Sequence, residues 1–166
     1  MSKRLAIAFT GPSNSGKTTL VTKVATALIE SGKRVSIIKN DPKDKGVFDT
    51  EGKDSHKFSQ TGAEVVVTSP SRTTFFSQKH KELDEIITML SDFDILLVEG
   101  LKTLPLPRIG VFRNRIERDY LACVSALAID GSIDVQADEI PKEIDVLDLN
   151  NTPQVIEWIL KNAKEV

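Results

Sequence analysis

The segment GPSNSGKT at residues 11–18 limits the fold of this chain more than any other, because it matches the pattern G-x-x-x-x-G-K-[ST] at every fixed position. The apolar run at 5–9 before it is typical of a strand buried on both faces of a parallel sheet. After it, apolar residues recur at helical spacing from Lys17 to Glu30, and Gly32 lies where a helix end favours a left-handed residue. Strand, glycine-rich turn and helix in this order predict a phosphate-binding loop, or P-loop.

The spacing of this motif follows from the chemistry of a phosphate group. A loop of small residues can turn its backbone N–H groups inward around the anion, and the helix that begins near Lys17 directs the positive end of its dipole at the same point. We expect the Lys17 ammonium, a candidate catalytic residue, to reach the β- and γ-phosphates of a nucleotide and the Thr18 hydroxyl to bind Mg²⁺. The alternative is a plain turn with a surface lysine, which the flanking strand and helix disfavour.

Two acidic residues follow predicted strands and are candidate metal ligands and catalytic residues. Glu99 comes directly after the apolar run 95–98, and Asp41 follows the end of the second predicted strand. Because ligands of parallel sheets lie at the carboxyl ends of the strands, we expect both carboxylates near the nucleotide, with Glu99 in the role of a Walker B acid. The alternative for each is an ordinary solvated acid beside a turn. Asp94, at the opposite edge, is expected to be a turn residue.

The rest of the chain alternates the same two kinds of element. Further strands are predicted at 34–39, 63–68, 73–76, 95–98, 109–112, 124–129 and 146–149, and further helices at 54–61, at 83–90 and after 152. Thr152 and Pro153 are the expected N-cap and first-turn residues of the last helix, whereas 114–123 has no assignable pattern. This alternation predicts one Rossmann-like α/β domain over 1–166, with a mostly parallel, twisted sheet and helices on both faces, as in P-loop NTPases.

Composition excludes several classes of protein. The 166 residues contain 22 Lys+Arg against 24 Asp+Glu, a net charge of -2, so we expect no nucleic acid and no membrane surface as a partner. The single cysteine excludes an intramolecular disulfide and a cysteine metal cage. No apolar run approaches the roughly 20 residues of a membrane helix, and the run at 5–9 is too short for a signal peptide. The cytoplasm is the expected location.

Further motifs, taken together with the P-loop, resemble one family. They are IKNDP at 38–42, FD at 48–49, GKDS at 52–55, TGA at 61–63 and LVEGLK at 97–102. In this order, from about residue 3 to residue 112, the chain is similar to MobB, the adapter protein of molybdopterin-guanine dinucleotide biosynthesis. Many unrelated NTPases share the P-loop, but GKDS followed by GA and then by LVEGxK is much more specific.

The resemblance implies a homodimeric GTP-binding protein with weak GTPase activity. Family members assist the molybdenum cofactor guanylyltransferase, which joins GMP to molybdopterin, and molybdopterin itself is a second candidate partner. Asp41 and Glu99 would lie near the metal with Thr18, and GKDS would form a loop beside the nucleotide. In that loop Asp54 either positions metal or water or is the N-cap of 55–60. The residues that would hold the phosphates are Gly11, Pro12, Ser13, Asn14, Ser15, Gly16, Lys17, Thr18 and Thr19.

Two features depart from the family pattern. Many relatives have histidines in the loop after the second strand, where this chain has Asn40, Lys43 and Lys45, and this weakens a metal site there. The guanine-binding N-K-x-D of related GTPases is absent. Asp130, which follows the predicted strand 124–129, has a suitable location for such a carboxylate but lacks the companion residues. The preference for GTP over ATP is therefore implied by the resemblance alone.

The positive charges of the chain concentrate between residues 102 and 118. This basic stretch could bind a pterin phosphate or an acidic protein face, or it could be a solvated surface mixed with Glu117 and Asp119. Since no arginine stands out as a catalytic finger, we expect slow hydrolysis. Its members are Lys102, Arg108, Arg113, Arg115 and Arg118.

A small P-loop kinase acting on a metabolite is the alternative function, with residues 113–118 as its lid. No segment clearly supplies such a lid. A metal-delivering NTPase is disfavoured, because the chain has only two histidines, His56 and His80, and one cysteine.

Overall fold

The structure, a computed structural model, describes residues 3–90, 92–136 and 139–166. The chain divides into two compact units. Unit 1 comprises Met1–Asn40 and Asp92–Val166, and unit 2 comprises Asp41–Ser91. The P-loop belongs to unit 1. The single domain over 1–166 stays a prediction, since the middle of the chain is compact by itself.

The elements follow the predicted alternation of strands and helices. In chain order they are β1 (Leu5–Thr10), α1 (Lys17–Glu30), β2 (Val35–Lys39), α2 (Asp54–Ser59), β3 (Val65–Thr68), β4 (Thr73–Phe76), α3 (Leu83–Met89), β5 (Ile95–Glu99), β6 (Arg108–Phe112), a 3-10 helix (Arg118–Cys123), β7 (Ala126–Ile129), β8 (Asp145–Asp148), α4 (Thr152–Asn162) and β9 (Lys164–Glu165).

Unit 1 is built on one sheet. Within the described residues it has seven strands in the order β2-β5-β1-β6-β7-β8, with β9 paired to β1. The pairs along this order are parallel, and β9 runs antiparallel to β1. The carboxyl ends of β2, β5, β1, β6 and β7 therefore meet at one edge, where a ligand is expected.

Side-chain alternation distributes the core of unit 1 over both faces of this sheet. On one face, Leu97 and Val111 join the buried apolar residues of α1 and α4. On the other, Phe112 and Leu127 pack against the 3-10 helix, where the ring of Tyr120 meets that of Phe112 edge-on at 5.4 Å. Each fully buried side chain of this size contributes about 1.5–3 kcal/mol. The predicted α/β fold, a mostly parallel sheet covered by helices, is confirmed.

The ends of the helices show where local prediction succeeds and where it misses by one residue. Gly32 has φ +85°, as expected for the residue that ends α1. The N-cap of α4 is Asn151, whose side chain accepts a hydrogen bond from the N–H of Gln154, so the predicted cap at Thr152 is wrong. Asn and Thr are both good N-caps, and their order alone does not decide between them.

Unit 2 contains α2, α3 and an antiparallel hairpin of β3 and β4. A turn in which the N–H of Ser69 donates to the carbonyl of Arg72 closes the hairpin. The N-cap of α2 is Lys53, without a side-chain cap, and Asp54 is the first helical residue. The N-cap alternative for Asp54 is therefore wrong, and its role beside a nucleotide stays a prediction.

Candidate nucleotide-binding site

The P-loop joins the end of β1 to the start of α1 and passes close to β6. Gly11 has φ +145°, and a Cβ there would collide with the carbonyl oxygen of Val111. Gly16, the N-cap of α1, has φ +91°, a left-handed conformation that glycine adopts without strain. The backbone conformation thus explains why glycine occupies both fixed positions of the motif. At Gly11 the lack of space for a side chain is a second reason.

The loop lines an open cavity of about 340 Å³. Within the described residues no side chain caps the first turn of α1, so its backbone N–H groups are available to an anion. The residues that line the cavity are Asn14, Ser15, Gly16, Lys17, Thr18, Thr19 and Arg113. Six of the nine predicted phosphate-binding residues therefore share one cavity.

A buried hydroxyl tests whether this loop suits a phosphate. The Oγ of Ser15 has no hydrogen-bond partner in the described part of the chain, although the residue is only 4% exposed. It lies 3.1 Å from the position that a Cβ on Gly11 would occupy, inside the turn of the loop. An unsatisfied buried polar group costs about 1–3 kcal/mol. A phosphate oxygen would supply the missing acceptor, so the loop fits the predicted ligand.

The predicted Lys17 and Glu99 are brought together at the carboxyl edge of the sheet. The register pairs Glu99 with Phe9 on β1 and with Lys39 on β2. Its Oε1 lies 3.4 Å from the Nζ of Lys17, with the two side chains only 15% and 14% exposed. The Nζ of Lys39 donates to both oxygens of Glu99, at 3.1 and 3.2 Å. Glu99 thus holds the P-loop ammonium, and Lys39 is a neighbour that the sequence analysis missed.

The predicted metal ligands divide between the two units. Thr18 lines the cavity of unit 1, to which Glu99 also belongs. Asp41 belongs to unit 2, where its Oδ2 accepts from the N–H groups of Lys45, at 2.7 Å, and Gly46, at 2.5 Å. Its role at a metal stays a prediction.

The donor set suits Mg²⁺ bound to a nucleotide better than a metal held by protein alone. Among residues 3–90, 92–136 and 139–166, no group of three or more His, Cys, Asp or Glu side chains could hold a metal ion. Mg²⁺ needs only one or two carboxylates, because phosphate oxygens and water complete its octahedron. The hydroxyl of Thr18 and the carboxylate of Glu99 are ligands of the right kind.

Arg113 is a cavity residue that the sequence analysis had grouped with the basic stretch. It follows β6, the strand paired to β1 on the side away from β5. A Cβ on Gly16 would lie 3.3 Å from the Nε and the Cζ of Arg113, so the guanidinium covers this part of the loop. The location of Arg113 directly after the strand 109–112 is visible in the sequence, but its contact with Gly16 depends on the pairing of β6 with β1.

Asp130, which follows β7, lies beside Arg113 because β6 and β7 are paired up to Phe112 and Ile129. Its Oδ2 is 3.4 Å from the Nε of Arg113. Its Oδ1 accepts from the hydroxyl and the N–H of Ser132. These hydrogen bonds, with a smaller contribution from Arg113, lower the pKa of Asp130. The carboxylate is therefore firmly held, and its predicted role at guanine stays a prediction.

Comparison with known proteins gives the family. A family model described as MobB, molybdopterin guanine dinucleotide synthesis protein B, matches residues 6–130. The chain belongs to the MobB family. The resemblance inferred from the motifs is thereby confirmed, and the matched region extends beyond residue 112 to include Arg113 and Asp130.

Individual MobB proteins match over almost the whole chain. The Haemophilus influenzae protein named molybdopterin-guanine dinucleotide biosynthesis adapter protein is 32% identical over 165 residues, which cover 92% of this chain and 86% of that protein. The Escherichia coli protein of the same name is 32% identical over 168 residues, 93% of each chain. A crystal structure of molybdopterin-guanine biosynthesis protein B is 27% identical to this chain, with a TM-score of 0.73. The match covers 95% of this chain and 99% of that protein.

The basic stretch of this MobB chain is not one surface. The guanidinium of Arg108, which is 1% exposed, donates to the carbonyl oxygens of Gly100 and Leu101 at 2.7 Å each. Burial lowers the pKa of Arg108. Leu101 has φ +48°, so the buried arginine holds a strained turn directly after Glu99. The Nζ of Lys102 lies 3.6 Å from the ring centre of Tyr120.

These contacts narrow the functional alternatives for the stretch. Of its five cations, Arg113 alone lines the P-loop cavity in the part of the chain that the structure describes.

Asp94, at the other edge of the sheet, pairs with Arg34 at 2.8 Å, as expected of a structural turn residue. No helix of the described residues is long and apolar enough to cross a membrane.

Proposed function

We propose that this MobB family member binds GTP with Mg²⁺ at its P-loop and acts as an adapter in molybdopterin-guanine dinucleotide synthesis. The observation that carries the proposal is the P-loop cavity with the unpartnered Ser15 hydroxyl, in a chain that is 32% identical to proteins named as adapters of this pathway. Its partner would be the molybdenum cofactor guanylyltransferase, with molybdopterin as a second candidate. The cytoplasm belongs to the same proposal.

Binding of the nucleotide would exchange one ionic contact for another. The Lys17 ammonium now contacts Glu99, and the β- and γ-phosphates would take over this contact. The Ser15 hydroxyl and the first N–H groups of α1 would donate to the same anion. The phosphate-binding set is the predicted one, from Gly11 to Thr19. Thr18, Glu99 and Asp41 are the proposed residues at Mg²⁺, which supplies charge neutralisation on the phosphate oxygens when bound.

The proposed GTPase activity is weak. Once Lys17 contacts the phosphates, the Glu99 carboxylate would be free to orient a water molecule. Lys39 would hold this carboxylate at the end of β5. Isolated P-loop GTPases turn over at about 1 per minute or less. Glu99→Gln should lower this rate and leave nucleotide affinity within about tenfold. An unchanged rate would remove Glu99 from hydrolysis.

Unit 2 supports the homodimer that belongs to this proposal. It exposes several large apolar side chains, which is common where proteins associate. Phe48 is 88% exposed, and Val66 and Val67 are exposed on β3. Sedimentation equilibrium tests this part of the proposal. The mass of two chains is expected at micromolar concentration, and the mass of one chain at all concentrations would contradict it.

Calorimetric titration with GTP and ATP, each with Mg²⁺, tests the nucleotide. The wild type should bind GTP more tightly than ATP, and Lys17→Ala should weaken GTP binding by about 100-fold or more, because a charge-assisted contact to phosphate is lost. Lys23→Ala is the matched control, since Lys23 is an exposed lysine of α1 that does not line the cavity. Equal affinity for both nucleotides, with phosphate transfer to an added metabolite, would instead indicate the small-kinase alternative.

A further inference from the structure

Arg113 and Asp130 form a charged pair beside the P-loop. Arg113 comes directly after β6 and Asp130 directly after β7, and the parallel pairing of β6 with β1 brings both to the edge of the sheet that carries the loop. The guanidinium of Arg113 lies beside Gly16, where a Cβ would meet its Cζ, Nε and Nη2 at 3.3–3.4 Å. Among the described residues that line the cavity, Arg113 alone comes from outside the loop and α1.

We propose that Arg113 is a phosphate-binding residue whose guanidinium contacts the phosphate chain of the bound nucleotide, and that Asp130 is the positioning residue that holds it there. The proposal rests on the proposed function in that the P-loop binds a nucleotide, but it does not depend on which base that nucleotide carries.

The charges around the cavity support a ligand with several negative charges. Lys17 and Arg113 supply two cations to the cavity, and the carboxylates that contact them, Glu99 and Asp130, are not among the described residues that line it. A diphosphate or triphosphate can contact both cations at once, whereas a single phosphate held by the P-loop needs only the first. The two cations therefore suit a diphosphate or triphosphate group, which under the proposed function is that of a nucleotide.

The hydrogen bonds of Asp130 explain why the arginine can be held and still bind a ligand. Ser132 donates twice to Asp130 and in turn accepts from the N–H of Asn114 at 2.7 Å, so the carboxylate is fixed from the loops after both β6 and β7. The ion pair engages the Nε of Arg113, one of five donors on a guanidinium whose fork suits phosphate oxygens. The pair is partly exposed and its atoms are 3.4 Å apart, so it contributes little energy and orients Arg113 without competing strongly with phosphate.

The interpretation as an ordinary solvated arginine does not account for this position. Arg115, two residues further on, is equally charged and exposed and does not line the cavity. It is therefore the matched control. Arg113→Ala and Arg115→Ala remove the same charge from the same loop, so a difference between them reports the position of Arg113 and not the net charge of the protein.

The test is calorimetric titration of the full chain with inorganic pyrophosphate, GDP and GTP, each with Mg²⁺. Arg113→Ala should weaken all three by about tenfold or more, Arg113→Lys by less, and Arg115→Ala by no more than about twofold. Thermal unfolding of each variant shows whether it is folded, and Arg113→Lys serves if Arg113→Ala is not. Affinities of both Arg113 variants within twofold of the wild type would overturn the proposal.

The two roles open to Asp130 give different results. A positioning residue predicts that Asp130→Asn weakens pyrophosphate and GTP alike, by about two- to fivefold, and that Asp130→Glu restores part of the loss. A lost preference for GTP over ATP with unchanged pyrophosphate affinity would show that Asp130 binds the base, and this would overturn its positioning role. If the wild type binds ATP and GTP equally, the assignment of GTP fails while the pyrophosphate comparison still decides the role of Arg113.

Discussion

The two compact units of this chain are built in opposite ways. Unit 1 has a sheet whose central strands are buried on both faces, and the pairs Lys17–Glu99 and Arg113–Asp130 lie where its strands end. In unit 2, within residues 41–90, no apolar side chain is buried. A buried serine, Ser59, instead donates to Asp49, which also accepts from Ser55 at 2.9 Å and lies 3.6 Å from the Nδ1 of His56. Unit 1 thus has a packed apolar core that positions the candidate site. Unit 2 instead has a hydrogen-bonded polar cluster in its interior, and its described apolar side chains are not buried.

Truncation of one apolar side chain to alanine in each unit tests this difference most strongly. Leu97→Ala on β5 should destabilise the chain by about 2–5 kcal/mol, because it leaves a cavity among fully buried residues. Val67→Ala on β3 removes a side chain that is already exposed and should cost about 0.5 kcal/mol or less. Urea denaturation measures both. Similar losses at the two positions would mean that the hairpin of unit 2 is packed as tightly as the sheet.

Arg108→Met tests whether the buried guanidinium of Arg108 holds the turn that follows Glu99 in unit 1. Methionine fills much of the same space but leaves the carbonyl oxygens of Gly100 and Leu101 without their donors, which should cost about 2–3 kcal/mol. Urea denaturation measures the loss, and Arg115→Met, at an exposed arginine, is the control. We also expect the rate of the proposed GTP hydrolysis to fall, since the turn after Glu99 is no longer held. A variant as stable as the control would show that the buried guanidinium does not hold this turn.

Asp94 lies at the edge of unit 1 opposite the site, and Asp94→Asn should have the smallest effect on stability. Its hydrogen bonds and ion pair with Arg34 hold the pKa of Asp94 well below its usual range. Such a carboxylate stabilises the folded chain above the unfolded pKa, near 3.9, and this stability is lost as the pH falls through the folded pKa. The difference in unfolding midpoint between wild type and Asp94→Asn should therefore shrink from pH 7 to pH 3. A constant difference would contradict the linkage.

The sequence predicts well whatever depends on local pattern. The bounds of α1, the strand that precedes the P-loop and the position of Glu99 all follow from periodicity and from the strand-end argument. The two-residue strand β9 is too short to leave a pattern. Asn151 and Thr152 are similar N-cap candidates, and the structure distinguishes them by one hydrogen bond, from the N–H of Gln154 to the side chain of Asn151.

The missed site residues depend on contacts distant in sequence. Arg113 covers Gly16 only because β6 pairs with β1, a fact of topology that no local segment contains. Arg108 looks like one more surface cation until the sheet buries it against the turn after Glu99. Lys39 reaches Glu99 because β2 and β5 are neighbours in the sheet. A charged residue at a strand end can be found from sequence, but its partner requires the strand order.

Hydrogen exchange of the wild-type chain, with and without saturating GTP and Mg²⁺, tests the central claim most directly. If the nucleotide binds where the core of unit 1 positions the P-loop, the amides of residues 13–19 should exchange more slowly in its presence, because the phosphates accept from them. The hairpin of β3 and β4 should be unchanged. Unchanged exchange at 13–19 under saturating nucleotide, with protection confined to unit 2, would contradict the account.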